Sequence, residues 1–303
     1  MSSEKIVVIG SCNTDMVINT EHLPQPGETI IGGNFFMNAG GKGANQAVAT
    51  ARLGGKVSFM AKVGNDHFGS RSIEQYRNEG IDVKHILVDG DHPSGVALIM
   101  VDAKGENCIA VASGANAHLR PEDIDKAVEI IDRGDILLMQ LETPIETVEH
   151  AARIAKERGK RVILNPAPAQ HLADSLLKNL YMIIANETET EHISGVKITD
   201  MESICRAADI ISSRGVENVV ITLGSKGAFI KENGSYHKVP AIKVKAVDAT
   251  AAGDTFCGAL CVALAEHKNI IDAVEFANKC ASVTVTRMGA QSSLPYRGEI
   301  DEM

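Results

Sequence analysis

From about residue 120 onward, short apolar runs alternate with longer amphipathic stretches. The pattern predicts helices in "RPEDIDKAVEIIDRG", "PIETVEHAARIAKERG", "LADSLLKNL" and "MESICRAADIISSRG", and strands in "DILLMQLE", "RVILNPAPA", "YMIIANETE" and "NVVITLGSKGAFI". Strands that alternate with helices are typical of βαβ units, whose mostly parallel sheet is buried on both faces. Gly134, Gly159 and Gly215 follow predicted helices directly, so we expect left-handed C-terminal caps there.

The first third of the chain has a different pattern. "KIVVIGSC" predicts a buried strand, "DMVINTEHLPQPGETIIGGNFFMNA" predicts extended segments that turn at "PQPGE", and "SGVALIMVDAKGENCIAVASG" predicts a hairpin around "AKGEN". We expect residues 14–38 and 93–112 to be β insertions that serve as a lid, an oligomer contact or packing decoration. With no internal repeat or long linker, residues 1–303 are expected to form one main α/β domain.

Composition narrows the choice of partners. The 303 residues are 44% hydrophobic, which is enough for a large core, and the formal net charge is −9. Because Lys and Arg form no continuous stripe, we expect neither nucleic acid nor an anionic membrane as a partner. An anion would then be bound locally, by backbone amides or a metal.

The N-terminus and the cysteines favour a cytoplasmic location. "MSSEKIVVIG" lacks the pattern of a signal peptide, and no apolar stretch approaches the roughly 20 residues of a membrane helix. The six cysteines are scattered without a CxxC pair. Cys257 and Cys261 share a helix face, but no His or Cys pair accompanies them, so buried thiols are favoured over a metal site. Scattered free thiols fit a reducing compartment.

Glycines introduce the first candidate for chemistry. In "NAGGKGANQAVATARLGG", Gly40, Gly41 and Gly43 precede a predicted helix. Glycines there allow positive φ and close approach of the backbone, and the helix start offers unpaired N–H groups. The segment is either a plain tight turn or a pocket wall that donates hydrogen bonds to a hydroxyl-rich ligand. It matches neither common nucleotide-binding glycine motif.

Acids and amides follow the predicted strands. Asn13 and Asp15 in "GSCNTDMV" lie two residues apart, and Glu142 ends "MQLE". Ligands of α/β sheets bind beyond the carboxyl ends of the strands, where these side chains suit vicinal sugar hydroxyls or, alternatively, turns. In "IIANETETE", Asn186 and Glu189 either cap a helix or orient a hydrated Mg²⁺.

Two further segments suit a nucleotide. "VVITLGSKGAF" is either a nucleotide-binding turn or a hairpin, and its candidate residues are Thr222, Gly224, Ser225 and Gly227. In "DATAAGDTF", a helix that begins near Ala251 would direct the amides of Ala251, Ala252 and Gly253 toward an anion. Asp254 is then placed to take the proton of an attacking hydroxyl, while the amides stabilise charge on the transferred group. The stretch predicts a phosphoryl-transfer site.

Taken together, these motifs resemble those of the ribokinase-like carbohydrate kinases. "GGKGANQA" and "DATAAGDTFCGA" resemble the two family signatures, and "GSCNTD", "MQLE", "NPAPA", "NETE", "TLGSKG" and "TRMGAQSSLP" extend the match over nearly the whole chain. The resemblance is strongest to the ribose-phosphorylating members. It implies a three-layer α/β fold with a nine-stranded, mostly parallel central sheet, flanking helices and a small β-sheet lid that also forms a homodimer. It also implies ATP-dependent phosphorylation of D-ribose at its 5-hydroxyl.

The resemblance assigns roles residue by residue. The sugar site would comprise Asn13, Asp15, Gly41, Lys42, Gly43, Ala44, Asn45 and Glu142. Asp254 would be the catalytic base, assisted by Ala251, Ala252 and Gly253. ATP would contact Asn186, Thr222, Leu223, Gly224, Ser225, Lys226, Gly227, Gly253 and Asn278. Glu189 would lie near Mg²⁺. Activating K⁺ would be surrounded by Asp248, Thr250, Thr284, Arg287, Gly289 and Ser293, several of them through carbonyls.

One position departs from the family pattern. The family usually has Thr after the first Asp of "DATAAGDTF", and this chain has Ala249, which removes a hydroxyl beside the proposed cation loop. Two alternatives to a ribose kinase stay open. One is a kinase of the same fold for deoxyribose, another small sugar or a nucleoside. The other is a sugar or nucleotide sensor without turnover.

Overall fold

The computed structural model describes residues 4–303, which contain two β-sheets. The strands are β1 (Lys5–Ile9), β2 (Asn13–Asn19), β3 (Asn34–Gly40), β4 (Lys56–Gly64), β5 (Asp82–Asp89), β6 (Gly95–Val101), β7 (Asn107–Ala112), β8 (Ile136–Met139), β9 (Arg161–Leu164), β10 (Met182–Asn186), β11 (Asn218–Thr222), β12 (Ala228–Glu232) and β13 (Ser235–Val239).

The large sheet has nine strands in the order β13-β12-β11-β10-β9-β8-β1-β4-β5. Its neighbouring strands are parallel except at β12, which runs antiparallel to β11 and β13. The central strands are short apolar runs, and β8 is buried at every position. A strand buried on both faces needs continuous rather than alternating apolar residues, which is the pattern that the sequence has.

Helices cover both faces of this sheet. They are α1 (Lys42–Arg52), α2 (His67–Asn78), α3 (Pro121–Lys126), α4 (Val128–Arg133), α5 (Ile145–Glu157), α6 (Asp174–Leu177), α7 (Glu187–Ser194), α8 (Met201–Ser213), α9 (Ala252–Ala265), α10 (Ile270–Thr284) and α11 (Arg297–Asp301). One core cluster joins α1, α2, α9 and α10 to the sheet, and the other joins α3 to α8. The predicted three-layer α/β fold is therefore confirmed.

The second sheet has four strands in the order β3-β2-β6-β7. It contains the β-rich segments predicted within residues 14–38 and 93–112. Asp15 pairs with Ala97, and Ala97 pairs with Val111, so these three residues share one face of the sheet. Large apolar side chains are exposed on this sheet, including Phe35 (60%) and Leu98 (56%).

Local details differ from the expectations at three places. Gly159 and Gly215 are left-handed, with φ of 69° and 108°, but Gly134 is not, with φ of −83°. A Cβ at Gly134 would come within 2.5 Å of Val7 Cγ2, so close packing on β1 requires this glycine. The helix predicted over 120–134 is interrupted at Ala127, and residues 218–232 form a hairpin rather than one strand. No helix within residues 4–303 is long and apolar enough to cross a membrane.

Candidate active site

Asp254 lies in the first turn of α9 and is 7% exposed. Its Oδ2 accepts a hydrogen bond from Asn45 Nδ2 at 3.0 Å, and its Oδ1 accepts one from Gln46 Nε2, also at 3.0 Å. Burial raises the pKa of Asp254, although the charge of Lys42 and the two amides act in the opposite direction. Asp254 is therefore a fixed, buried carboxylate that is more basic than an exposed aspartate, as a general base requires.

The backbone at the start of α9 is unusual. Ala251 precedes the helix with φ of 59°, in the left-handed region that residues with a Cβ rarely adopt. The amide of Ala252 donates to Ala249 O at 3.2 Å, so one of the three amides predicted to face an anion is engaged within the turn. Gly253 lines two of the cavities described below. Strained backbone of this kind is concentrated at ligand-binding sites.

The glycine-rich segment is both a tight turn and a wall of the site. Gly41 precedes α1 with φ of 89°, which favours glycine. A Cβ at Gly40 would come within 2.2 to 2.3 Å of all three carboxylate atoms of Asp15, so that carboxylate occupies the space of a side chain. Gly43 and Ala44 are buried where α1 packs on the end of β1. The Cα positions of both residues are therefore packed against the core, and their contact with a sugar stays a prediction.

Three carboxylates and one lysine lie close together here. Burial, followed by the charges of Glu142 and Asp254, raises the pKa of Asp15 to about 6. Glu142 Oε2 accepts a hydrogen bond from the backbone amide of Lys42 at 2.9 Å. Burial acts to lower the pKa of Lys42, but neighbouring carboxylates, Asp254 foremost, raise it overall, so the ammonium stays charged. The cluster is rich in acceptors for ligand hydroxyls.

A cavity of about 350 Å³ opens beside Glu142. Asn13, at the start of β2, and Val111, on β7, also line it, so the small sheet and the loop that follows β8 both contribute to its walls. Asn13 Oδ1 accepts a hydrogen bond from Asn116 Nδ2 at 2.7 Å. Because Asp15 shares a sheet face with Val111, that face of the small sheet is turned toward the same region. A small polyhydroxylated ligand suits these walls.

A second cavity, of about 220 Å³, is lined by Asp254, Lys42, Gly253, Asn186 and Glu189. Asn186 caps α7, and the Glu189 carboxylate accepts hydrogen bonds from Asn186 N at 2.9 Å and from Asn186 Nδ2 at 3.0 Å. The capping alternative is therefore correct, and the same pair also faces the cavity. Each carboxylate oxygen retains a lone pair, which suits the water shell of a cation near phosphates.

A third cavity, of about 580 Å³, adjoins the second, since Thr222, Ala249 and Gly253 line both. Its lining includes Gly224, Ser225, Gly227 and Asn278 from the sequence prediction, and an apolar wall of Ile242, Val244, Phe256 and Val285. An apolar slot that opens onto a phosphate-sized cavity suits a nucleotide.

Three residues predicted to contact ATP do not line this cavity, and one of them, Asn186, lines the second cavity instead. Leu223 is 3% exposed and belongs to the core, so only its backbone is near the turn. The Lys226 ammonium lies 3.5 Å from Glu187 Oε1 on the surface. The hairpin alternates its side chains between the core, the cavity and solvent, which the linear motif does not distinguish.

The loop predicted to hold K⁺ joins two distant parts of the chain. Asp248 Oδ1 accepts hydrogen bonds from Thr250 N at 2.9 Å and Thr250 Oγ1 at 2.7 Å, and Oδ2 accepts one from Gly289 N at 2.8 Å. Burial acts to raise the pKa of Asp248, but these hydrogen bonds lower it overall. The carboxylate is therefore ionised and fixed beside the start of α9.

The other residues of that predicted set have side chains engaged elsewhere. Arg287 pairs with Glu299, Thr284 Oγ1 lies 2.8 Å from Thr255 Oγ1, and Ser293 Oγ donates to a backbone carbonyl. Their contribution to a cation site would come from backbone carbonyls, as the resemblance implies. Asp248 and carbonyl oxygens are a donor set that a hard monovalent cation accepts, so the residues fit the ion.

Sequence reasoning missed three polar residues near Asp254 and Asn13. Gln46 bonds to Asp254, Gln291 Nε2 donates to Asn45 Oδ1 at 3.2 Å, and Asn116 bonds to Asn13. Gln46 belongs to "GGKGANQA" and Gln291 to "TRMGAQSSLP". The sequence signal that points to Gln46 is a polar residue directly before the small and apolar run Ala47–Ala49.

The site defines a class of enzyme. The buried carboxylate of Asp254 lines a phosphate-sized cavity that adjoins a nucleotide-sized one, and Glu142, which lines a sugar-sized cavity, lies near this carboxylate. This arrangement suits phosphoryl transfer from a nucleotide to a hydroxyl. Residues 3–297 match the model of the family described as pfkB family carbohydrate kinase. The chain belongs to this family.

Similar proteins narrow the class further. The ribokinase of Haemophilus influenzae is 46% identical over 294 residues, covering 97% of this chain and 96% of that one. The deoxyribokinase of Salmonella typhi is 38% identical over 298 residues, covering 98% and 97%. The structure of Arabidopsis thaliana ribokinase complexed with ribose and ATP has a TM-score of 0.94 at 32% identity, covering 99% of this chain and 98% of that one.

Proposed function

We propose that this chain transfers the γ-phosphoryl group of ATP to the 5-hydroxyl of D-ribose, giving D-ribose 5-phosphate and ADP. The observation that carries the proposal is Asp254, a buried carboxylate that lines the cavity next to the nucleotide-sized one and lies close to Asp15 and Glu142. The resemblance to ribokinases along the whole chain supports ribose as the acceptor.

The reaction follows from this placement. The 5-hydroxyl oxygen attacks the γ-phosphorus, its proton passes to Asp254, the bond from the γ-phosphorus to the bridging oxygen breaks, and ADP leaves. Lys42 supplies a fixed positive charge at the cavity where the phosphates would lie. The N-terminus of α9, with Gly253, supplies a partial positive charge on the same side.

The sugar is proposed to bind between the two sheets. Asp15 and Glu142 would accept hydrogen bonds from ring hydroxyls, while Asn13 and Asn45 complete the set. The adenine would occupy the apolar slot beside Asn278. Support comes from the lining of the two cavities.

Two cations are proposed as cofactors. Mg²⁺ would lie near Glu189 and Asn186, where it would neutralise phosphate charge, and the engaged Glu189 carboxylate would orient its water shell rather than bind it directly. K⁺ would be held by Asp248 and nearby carbonyls. The hydrogen bonds from Thr250 and Gly289 already fix that loop beside α9.

The small sheet is proposed to be a lid, and a second copy of the chain is proposed to cover its apolar surface. Phe35 and Leu98 are each more than half exposed and lie on the face of the small sheet opposite Asp15 and Val111, and exposed apolar side chains of this kind mark interaction surfaces. A cytoplasmic location is also proposed. It is supported by six cysteines that are all free thiols.

The test is ADP release from Mg-ATP with a panel of D-ribose, 2-deoxy-D-ribose, D-fructose and adenosine. The proposal expects ADP release that depends on sugar, with D-ribose giving the highest kcat/KM and ribose 5-phosphate as product by mass spectrometry. Highest efficiency with 2-deoxyribose or adenosine would reassign the acceptor. Nucleotide binding by calorimetry without release of ADP for any acceptor would favour a sensor.

A further inference from the structure

Gln46 connects the carboxylate of Asp254 to the core. It lies in α1 and is 0% exposed. Its Nε2 donates one hydrogen bond to Asp254 Oδ1 and another to Asn165 Oδ1, each at 3.0 Å. Its Oε1 accepts a hydrogen bond from Gln140 Nε2 at 2.5 Å. Both amide protons and the amide oxygen of Gln46 are therefore committed to other side chains.

The surrounding acceptors fix the orientation of this amide. Asn165 Nδ2 donates to the carbonyl of Ile184 at 2.9 Å, and because a carbonyl can only accept, Asn165 must turn its oxygen toward Gln46. The ionised Asp254 can also only accept. A flipped Gln46 would place its oxygen against two other oxygens, so the network determines that the amide nitrogen faces Asp254.

One group in the hydrogen-bond network around Gln46 lowers the stability of the fold. Gln140 is 1% exposed, and its Oε1 has no hydrogen-bond partner within the part of the chain that the structure describes. A Cβ at Gly10 would come within 2.1 Å of this oxygen, so the backbone approaches it closely. A buried acceptor without a partner destabilises a fold, and such groups are typical of sites where function decides the residue.

We propose that Gln46, oriented by Gln140 and Asn165, is a positioning residue that holds Asp254 in the rotamer required for proton abstraction. With Oδ1 bonded to Gln46 and Oδ2 bonded to Asn45, the carboxylate is held at both oxygens, and it still lines the cavity. The inference rests on the proposed role of Asp254 as the general base.

The charges around Asp254 show why this hydrogen bond matters. The titratable groups near it are Lys42, Asp15, Glu142, Glu189 and Cys257. Lys42 is the one cation among them, and burial also opposes ionisation. A fixed N–H donor favours the ionised carboxylate, so removal of the Gln46 amide raises the pKa of Asp254 further.

The test is Gln46→Met, which keeps the length of the side chain and removes the donor. Hydrogen bonds to charged groups contribute enough that kcat is expected to fall about 10- to 100-fold near neutral pH. KM for ribose and for ATP should change by less than about threefold, because the amide touches neither ligand in this arrangement. The acidic limb of the kcat profile should move to higher pH, with ADP measured directly so that no coupling enzyme limits the range.

Two further variants separate positioning from packing. Thr50→Val is the matched control, since Thr50 lies one turn along α1, is also 0% exposed and donates its hydroxyl proton to the carbonyl of Gln46. The acidic limb of its kcat profile should stay at the wild-type pH. Gln140→Met removes the unpaired Oε1 of Gln140 but leaves the Oε1 of Gln46 without its donor, so Tm should change little. Because Gln46 is then held less firmly, kcat should fall. An unshifted acidic limb in Gln46→Met and an unchanged kcat in Gln140→Met would overturn the inference. An active Asp254→Asn would instead overturn the base assignment itself.

Discussion

Replacement of Asp254 by Asn tests the site most directly, and its effect follows from the contacts of the carboxylate. The two oxygens accept hydrogen bonds from Asn45 Nδ2 and Gln46 Nε2, each at 3.0 Å. An asparagine has only one oxygen. Whichever way its amide turns, one of the two donors then faces another NH₂ group.

The variant therefore loses two things. Loss of the general base is expected to lower kcat by about 10² to 10⁴. Loss of one hydrogen bond leaves a buried donor unpaired, which costs about 1–3 kcal/mol of stability. The removal of a buried charge offsets part of this cost, because burial already raises the pKa of Asp254. We expect a small decrease in Tm together with a large decrease in turnover.

The assay is initial-rate ADP release at saturating Mg-ATP and ribose, with calorimetry for the binding of both ligands and a melting curve. Ligand affinities should change far less than kcat, because the asparagine side chain has nearly the same shape as the aspartate that it replaces. Turnover above about a tenth of the wild-type value would refute the base assignment, since base catalysis contributes at least about 10². A collapse of Tm with lost ligand binding would instead mean that the charge organises the fold.

Four other outcomes are expected. The pKa of Asp15 is raised from 3.8 to about 6, so the folded state binds the proton more tightly and stability falls as pH rises through that window. Asp15→Asn should therefore raise Tm at pH 8, raise it progressively less below pH 6, and weaken ribose binding in calorimetry. Ribose should exceed 2-deoxyribose in kcat/KM by at least about tenfold, since loss of a hydroxyl leaves a buried acceptor unpaired, and equal efficiencies would contradict this. KCl should activate more than NaCl or choline chloride at matched ionic strength up to about 100 mM, and coincident curves would mean that Asp248 holds no activating ion. Light scattering should show a dimer that Leu98→Glu dissociates, whereas a wild-type monomer would exclude the lid interface.

The local pattern of hydrophobic and polar residues predicted most of the fold. Short continuous apolar runs such as Ile136–Met139 indicate strands buried on both faces, and their alternation with amphipathic helices favours a parallel sheet. The local pattern was wrong at Gly134, where it predicted a left-handed helix cap. This glycine has ordinary extended dihedrals, and it is needed because a Cβ would clash with Val7. A contact between residues more than one hundred positions apart leaves no mark on local periodicity.

The functional site also combines features that the sequence predicts with features that only the tertiary structure reveals. The types and order of its residues, from Asp15 to Asp254, could be named from the sequence because the motifs resemble, as an ordered set, those of a known family; each motif alone also fitted a turn or a helix cap. Which of them line a cavity depended on side-chain direction, so Leu223 and Lys226 fell outside the nucleotide cavity although they stand between residues that line it.

Only the tertiary structure decided what holds the base in place. Gln46 is 208 positions from Asp254 in sequence, and Gln140 and Asn165 come from two other strand ends. The sequence by itself determined that a carboxylate would stand at the start of a helix after small residues. Its partners were set by the crossing of α1 over the sheet next to α9, because a hydrogen bond depends on positions in space to within a few tenths of an ångström.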